Sequence, residues 1–183
     1  MKEVILSVLD QPAIRRIAFR FGPIMVNAMS FEPVKTAINE TRIAVVYSSR
    51  LGANRAKYSF TNNRFTIGFR SASGNLDREA LIAHEATHAA LDAASNPRSV
   101  KQSEAAAYIL QCLYFYYRNE SAFQDGARPT FADPILRAAW SVSEICRRRT
   151  QLTDDEVEPL FEAIAQHSLY RGREDDDEAF DGV

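Results

Sequence analysis

A chain of 183 residues with 46% hydrophobic and 25% charged residues has the composition of a globular protein of about one domain, large enough to bury a core without staples. The formal net charge is -2, but the last ten residues, EDDDEAFDGV, hold six acids and no base, leaving a body of 22 basic and 18 acidic residues, or +4. So mild a basic excess gives little reason to expect a nucleic-acid partner, and the run Arg147-Arg148-Arg149 reads as a solvated helix end whose charge complements the helix dipole.

The two cysteines, Cys112 and Cys146, form no CxxC or zinc-finger spacing and fall in apolar helical patterns. Buried free thiols are expected, with a single disulfide left open. The N-terminal MKEVILSVLDQPAIRR lacks the apolar core and small-residue cleavage site of a signal peptide, and no stretch approaches the roughly 20 apolar residues that cross a bilayer. No membrane partner is expected, and the compartment expected is the cytoplasm, although export by a signal-independent machine would leave no such mark.

In chain order, KEVILSVL reads as a helix. PAIRRIAFRF (12–21) reads as a second, opened by Pro12 and stopped by Gly22-Pro23, and EPVKTAINE as a third. The period then changes. TRIAVVYSS (41–49) is β-branched and apolar, which predicts a buried strand. AKYSF (56–60) and RFTIGF (64–69), joined by the turn residues TNNR, predict an antiparallel hairpin. From Asn75 the chain reads as helical: NLDREALIAHEATHAALDAA, a break at SNPRS with Asn96 and Pro97 as its punctuation, and VKQSEAAAYILQCLYFYYRNE. After a loop, QDGARPTFA (124–132), come DPILRAAWSVSEICRRR with Asp133 as its cap and TDDEVEPLFEAIAQHSLY with a Thr153–Glu156 capping box. The fold class expected is α+β, a small antiparallel-rich sheet packed on a central helix with further helices around it. Residues 1–173 are expected to form one domain, and 174–183 a disordered acidic tail too polar to pack.

The chemistry concentrates in LIAHEATHAALDA (81–93). Two of the three histidines, His84 and His88, stand four apart, which on a helix brings both to one face, close enough to share a metal ion. Glu85 can reach a water on that metal, so the set reads as two ligands and a general base. A histidine-lined polar face of a surface helix is the alternative. Ala and Leu at nearly every other position argue instead for a buried helix, where His, Glu and His need partners.

A catalytic zinc takes a third protein ligand and keeps an open position. With one helix ending near Ala94, His88 lies about 9 Å from its end; with the next beginning near Ser99, Glu104 lies about 7.5 Å in. An antiparallel hairpin would set the two at nearly the same height, and Ala105, Ala106 and Ala107 would allow close approach. Glu104 is therefore the expected third ligand. Asp92, one turn beyond His88, and His167 are the other candidates, Asp92 also as an acceptor for a histidine N–H. Tyr108, one turn after Glu104, and the pair His167 and Tyr170 could assist near a developing oxyanion, or simply pack.

His84-Glu85-x-x-His88 followed by Glu104 on the next helix resembles the gluzincin branch of the zincin metallopeptidases, over roughly residues 77–110. The resemblance implies a zincin-like domain over 1–173, Zn²⁺ held by His84, His88 and Glu104, Glu85 as base, and a peptide or protein substrate. It also implies a substrate-aligning strand before the active-site helix, for which RFTIGF is well placed. Two departures stand out: the spacer to Glu104 is shorter than in the thermolysin-like members, and the downstream helix reads Glu104-x-x-x-Tyr108 where those members often carry an aspartate that orients a histidine. In scale the chain is similar to compact bacterial metallopeptidase domains, including minimal zincins found as toxin effectors. The function expected is zinc-dependent peptide hydrolysis. The alternative is a non-catalytic zincin-like module that binds a partner protein.

Overall fold

Helix α1, Lys2–Leu9, buries Ile5, Val8 and Leu9, the spacing of one helical face. Helix α2 starts at Pro12 as expected but runs only to Arg16. The computed structural model of the chain describes residues 1–95 and 98–178, and it replaces the rest of the expected 12–21 helix with strand β1, Ala18–Phe21, paired antiparallel with β2, Ile24–Asn27. The reason lies in the alternation. Ile17, Phe19 and Phe21 are all buried, and the Phe19 and Phe21 rings lie nearly parallel, as period-two neighbours on one face do. Gly22, at φ 48°, makes the tight turn. A segment distant in sequence then satisfies the backbone of Arg20, whose N–H donates to Thr150 and whose carbonyl accepts from Leu152. Helix α3 occupies Glu32–Asn39.

Three strands form the main sheet: β3 (Ala44–Tyr47), β4 (Ala56–Ser59) and β5 (Arg64–Ile67). The expected hairpin is β4–β5, antiparallel, closed by Asn63 in the left-handed region. Strand β3 joins β5 in parallel, so the order is β3-β5-β4 with β5 in the middle. Two expectations are corrected here. The 41–49 strand is not buried: it is an outer strand, with Ala44 and Val46 open to solvent, because only one face of the sheet is covered. RFTIGF is not an edge strand: its β5 has a partner on both sides, and the edge strand that lies against α4 is β4. At the end of β5, Gly68 admits no side chain, since a Cβ there would lie 1.7 Å from the carbonyl oxygen of Gly52.

Helix α4, Leu76–Ala93, capped by the Asn75 side chain, is the centre of the molecule. It packs against α1, α3, β4 and the next long helix, α5 (Val100–Arg118). Alanines make this crowding possible: Ala83, Ala86, Ala89, Ala105, Ala106 and Ala107 are fully buried, letting the two helix backbones approach. Asn96 and Pro97 lie outside the described residues; α4 is capped by Ala94, Ser95 adopts a left-handed φ of 51°, and Arg98–Ser99 form the short strand β6 before α5. After α5 a 3₁₀ segment, Glu120–Gly126, occupies the start of the expected loop. Helix α6, Pro134–Cys146, has Asp133 as its side-chain cap, and α7, Asp154–Gln166, has the Thr153–Glu156 capping box.

The architecture is thus α+β, a small mixed sheet and an antiparallel hairpin set against a helical body. Cys112 and Cys146 are free and buried. No helix among the described residues is long and apolar enough to cross a membrane. The acidic segment does not leave the fold at residue 174. Asp177–Glu178 form strand β7, antiparallel to β6, and the carbonyls of Glu174 and Asp176 accept the N–H groups of Lys101 and Val100. These unpaired donors at the start of α5 supply what the composition of the tail does not reveal. Residues 179–183 lie outside the described residues.

Candidate metal centre

The register between α4 and α5 decides the site. At one end it is pinned by Glu79, a buried carboxylate that accepts from Tyr114 Oη at 3.0 Å and Arg118 Nε at 2.9 Å. With that pair fixed, the antiparallel helices set His84 against Tyr108 and His88 against Glu104. Their rings and carboxylate meet in one place: His84 Nε2 to His88 Nε2 is 3.3 Å, His84 Nε2 to Glu104 Oε2 3.6 Å and His88 Nε2 to Glu104 Oε1 3.8 Å. One donor atom from each of His84, His88 and Glu104 lies within 4.8 Å of the others, so the group could hold a metal ion.

The donor set fits a tetrahedral ion. Two nitrogens each about 2.0–2.1 Å from such an ion stand about 3.3–3.4 Å apart, which is the spacing found. The outer nitrogens matter as well. His88 Nδ1 lies 2.9 Å from Ser103 Oγ, which fixes the ring and turns Nε2 inward. His84 Nδ1 is buried with no hydrogen bond, and the Gln111 side chain is among the groups that favour the charged form of the His84 ring. The edge of the Tyr108 ring packs on His84, with centroids 4.6 Å apart.

Electrostatics follow from burial and from the carboxylates. Burial lowers the pKa of His88 to about 4, helped by His84 and Arg98 and opposed by Glu104. Burial also works against a charged His84, but Glu104 and Glu85 outweigh it and its pKa is raised. Burial would raise Glu104; His88, His84 and the Tyr170 hydroxyl overcome it and hold the carboxyl at about 2. Glu104 is therefore a carboxylate and His88 a neutral imidazole at neutral pH, the forms that bind a metal.

Glu85 stands beside this group but outside it. Its Oε2 accepts the backbone N–H of Tyr58 at 2.7 Å, and burial raises its pKa to about 7. Tyr58 belongs to β4. Because Gly68 N–H donates to Arg55, the alternation of an antiparallel pair turns the Tyr58 backbone to the free edge, toward α4. The cleft between that edge and α4 encloses about 230 Å³ and is lined by Lys57, Tyr58, Phe60, Glu85, the three donors and Tyr170.

The other candidates separate. Asp92 lies outside the group: fully buried, it accepts the Tyr58 hydroxyl at 2.6 Å. His167 caps the end of α7, where its Nδ1 accepts from Leu169 N–H. Tyr170 does reach the site. Its hydroxyl donates to Glu104 Oε2 at 3.0 Å and stands 3.3 Å from the Tyr108 hydroxyl. Reasoning from sequence misses Ser103, Gln111 and the Tyr58 backbone. The hairpin geometry that pairs His88 with Glu104 also points to Ser103, its neighbour on α5; Gln111, two turns further along, and Tyr58 carry no such signal.

The chain matches no protein-family model, no curated protein and no solved structure.

Proposed function

We propose that the protein is a zinc-dependent peptidase, with His84, His88 and Glu104 as metal ligands and Glu85 as general base. The observation that carries this reading is the place of Glu85. A carboxylate that is not part of the donor group sits in the same cleft, tethered through one oxygen to Tyr58 N–H. A purely structural site gains nothing from such a group. A pKa of about 7 suits it to take and return a proton near neutral pH.

A bound zinc would supply a water of lowered pKa and polarise the scissile carbonyl. The residues of the chain do the rest. Glu85 takes the proton of the attacking water and passes it to the leaving amine nitrogen. The edge of β4 runs beside the cleft, where an extended peptide can lie along it, and α4 and α5 hold the ligands rigidly. Ser103 keeps His88 in the tautomer with a free inward lone pair.

The test is an unbiased cleavage screen: a digested cell extract incubated with wild type, Glu85→Gln and chelated protein, read by mass spectrometry. Cleavages made by wild type and lost in both controls are expected, since losing a general base costs about 10²–10⁴ in rate. Equal cleavage by Glu85→Gln would remove the proposed base. No cleavage by zinc-loaded wild type would favour a metal-holding module that binds a partner protein.

A further inference from the structure

The chain beyond α7 returns to the metal centre. Residues 167–176 fold as consecutive turns, with hydrogen bonds from Tyr170 N–H to His167, Arg173 N–H to Tyr170 and Asp176 N–H to Arg173. The segment then lies across the start of α5. Its carbonyls at Asp176 and Glu174 take the N–H groups of Val100 and Lys101, both at 2.9 Å, Lys101 Nζ pairs with Asp175 at 2.6 Å, and β7 pairs with β6. One turn further along the same helix is Glu104, and the Tyr170 hydroxyl rests on its Oε2. The strap therefore touches α5 twice, at the open first turn and at the carboxylate of the donor group.

We propose that Tyr170 is a positioning residue for Glu104, and that the strap 167–178 delivers it, so that docking of the C-terminal segment completes the metal centre. This rests on the reading of His84, His88 and Glu104 as ligands; it does not require the peptidase reading. Glu104 has a flexible side chain, and a carboxylate free to rotate presents its lone pairs to the two imidazoles only part of the time. The Tyr170 O–H ties one oxygen, and the Tyr108 hydroxyl, 3.3 Å away, backs it. Tyr108 in turn packs on His84, so the strap reaches two of the three donors through one pair of phenols. Outer partners of this kind are worth about 10–100-fold in metal affinity.

A coupling of this kind must be reciprocal. If docking of the strap tightens metal binding, metal binding must hold the strap down by the same factor. The strap is suited to respond, since Arg171, Gly172, Arg173, Asp175 and Asp176 are exposed and its anchoring bonds are mainly backbone ones at the surface.

The experiment compares wild type, Tyr170→Phe and a chain truncated after Arg173, each full length otherwise. Zinc affinity is measured by chelator competition, melting of the metal-free proteins by circular dichroism, and amide hydrogen exchange over 98–101 and 167–178 with and without zinc. Tyr170→Phe keeps the ring and removes only the hydroxyl. It is expected to bind zinc about 10–100-fold more weakly, while the metal-free protein stays folded and melts only as much lower as the loss of one hydrogen bond gives. The truncation, which keeps Tyr170 but loses the clip, is expected to fall between the two. Zinc is expected to slow exchange of the strap and of the Val100 and Lys101 amides in wild type, and to lose most of that effect in Tyr170→Phe. Wild-type affinity in Tyr170→Phe, or strap exchange indifferent to zinc, overturns the proposal and leaves the ligand reading standing. Absence of zinc binding in wild type overturns both.

Discussion

The backbone N–H of Tyr58 donates to Glu85 Oε2 at 2.7 Å, joining the free edge of the sheet to the residue beside the donor group. Burial raises the Glu85 carboxyl from an ordinary 4.5 to about 7. A group whose folded pKa is raised favours folding below its unfolded pKa, and that contribution is lost as pH rises through the folded one. The loss for Glu85 therefore falls between about pH 4.5 and 7. Glu85→Gln removes the titration, and its amide oxygen can still accept from Tyr58. In chelator, the melting temperature of Glu85→Gln relative to wild type is expected to be several degrees higher at pH 8 than at pH 5, an effect of at most a few kcal/mol. A difference that does not change with pH would show that Glu85 is not desolvated.

Substitutions of the donor group and of Asp92 are expected to divide cleanly. His84→Ala or His88→Ala should abolish the roughly one zinc per chain that a single three-ligand site holds, and Glu104→Gln should weaken it strongly. Asp92→Asn should keep the metal, because Asp92 lies outside the donor group, and Asp92→Ala should lose stability instead, because it removes the buried acceptor of the Tyr58 hydroxyl. Tyr58→Phe should lose about 0.5–1.5 kcal/mol with that hydrogen bond. Elemental analysis and denaturant melts on the same preparations check both halves; loss of zinc in Asp92→Asn with none in Glu104→Gln would reassign the ligand.

Ser103→Ala should act on the metal through His88. The serine hydroxyl lies 2.9 Å from His88 Nδ1 and is fully buried, so its loss frees the ring to turn and to change tautomer. A drop of about 10–100-fold in zinc affinity is expected, with Ser103→Thr recovering much of it if the methyl fits. Chelator competition reads the effect, and an unchanged affinity for Ser103→Ala would remove the serine from the site.

The thiols should be inert in the native protein. Burial pushes Cys146 up to about 12 and Cys112 higher still, so neither carries an appreciable thiolate fraction at pH 8. An aromatic disulfide reagent at pH 8 should titrate the two thiols slowly in native protein and at once in denaturant. Rapid reaction of either native thiol would place it in a more open setting than its helix gives it.

The sequence alone determined what helical geometry determines. The spacing of His84 and His88 puts two imidazoles on one face, because residues four apart always meet there. The short break before α5 put Glu104 level with His88, because a helix rises by a constant 1.5 Å per residue and two helices joined by a tight turn must run antiparallel. The caps at Asn75, Asp133 and Thr153 were legible for the same local reason. What the tertiary structure decided has no local signature. The alternation of Ile17, Phe19 and Phe21 fits a strand, but that strand is held by Thr150 and Leu152 at its edge, partners that no local pattern names. Strand β4 became the free edge at the cleft because β3 took the other side of β5, and strand order depends on the path of the chain. Tyr170 reached Glu104 across 66 residues, and a contact at that separation is set by how α6 and α7 pack, which no spacing rule contains.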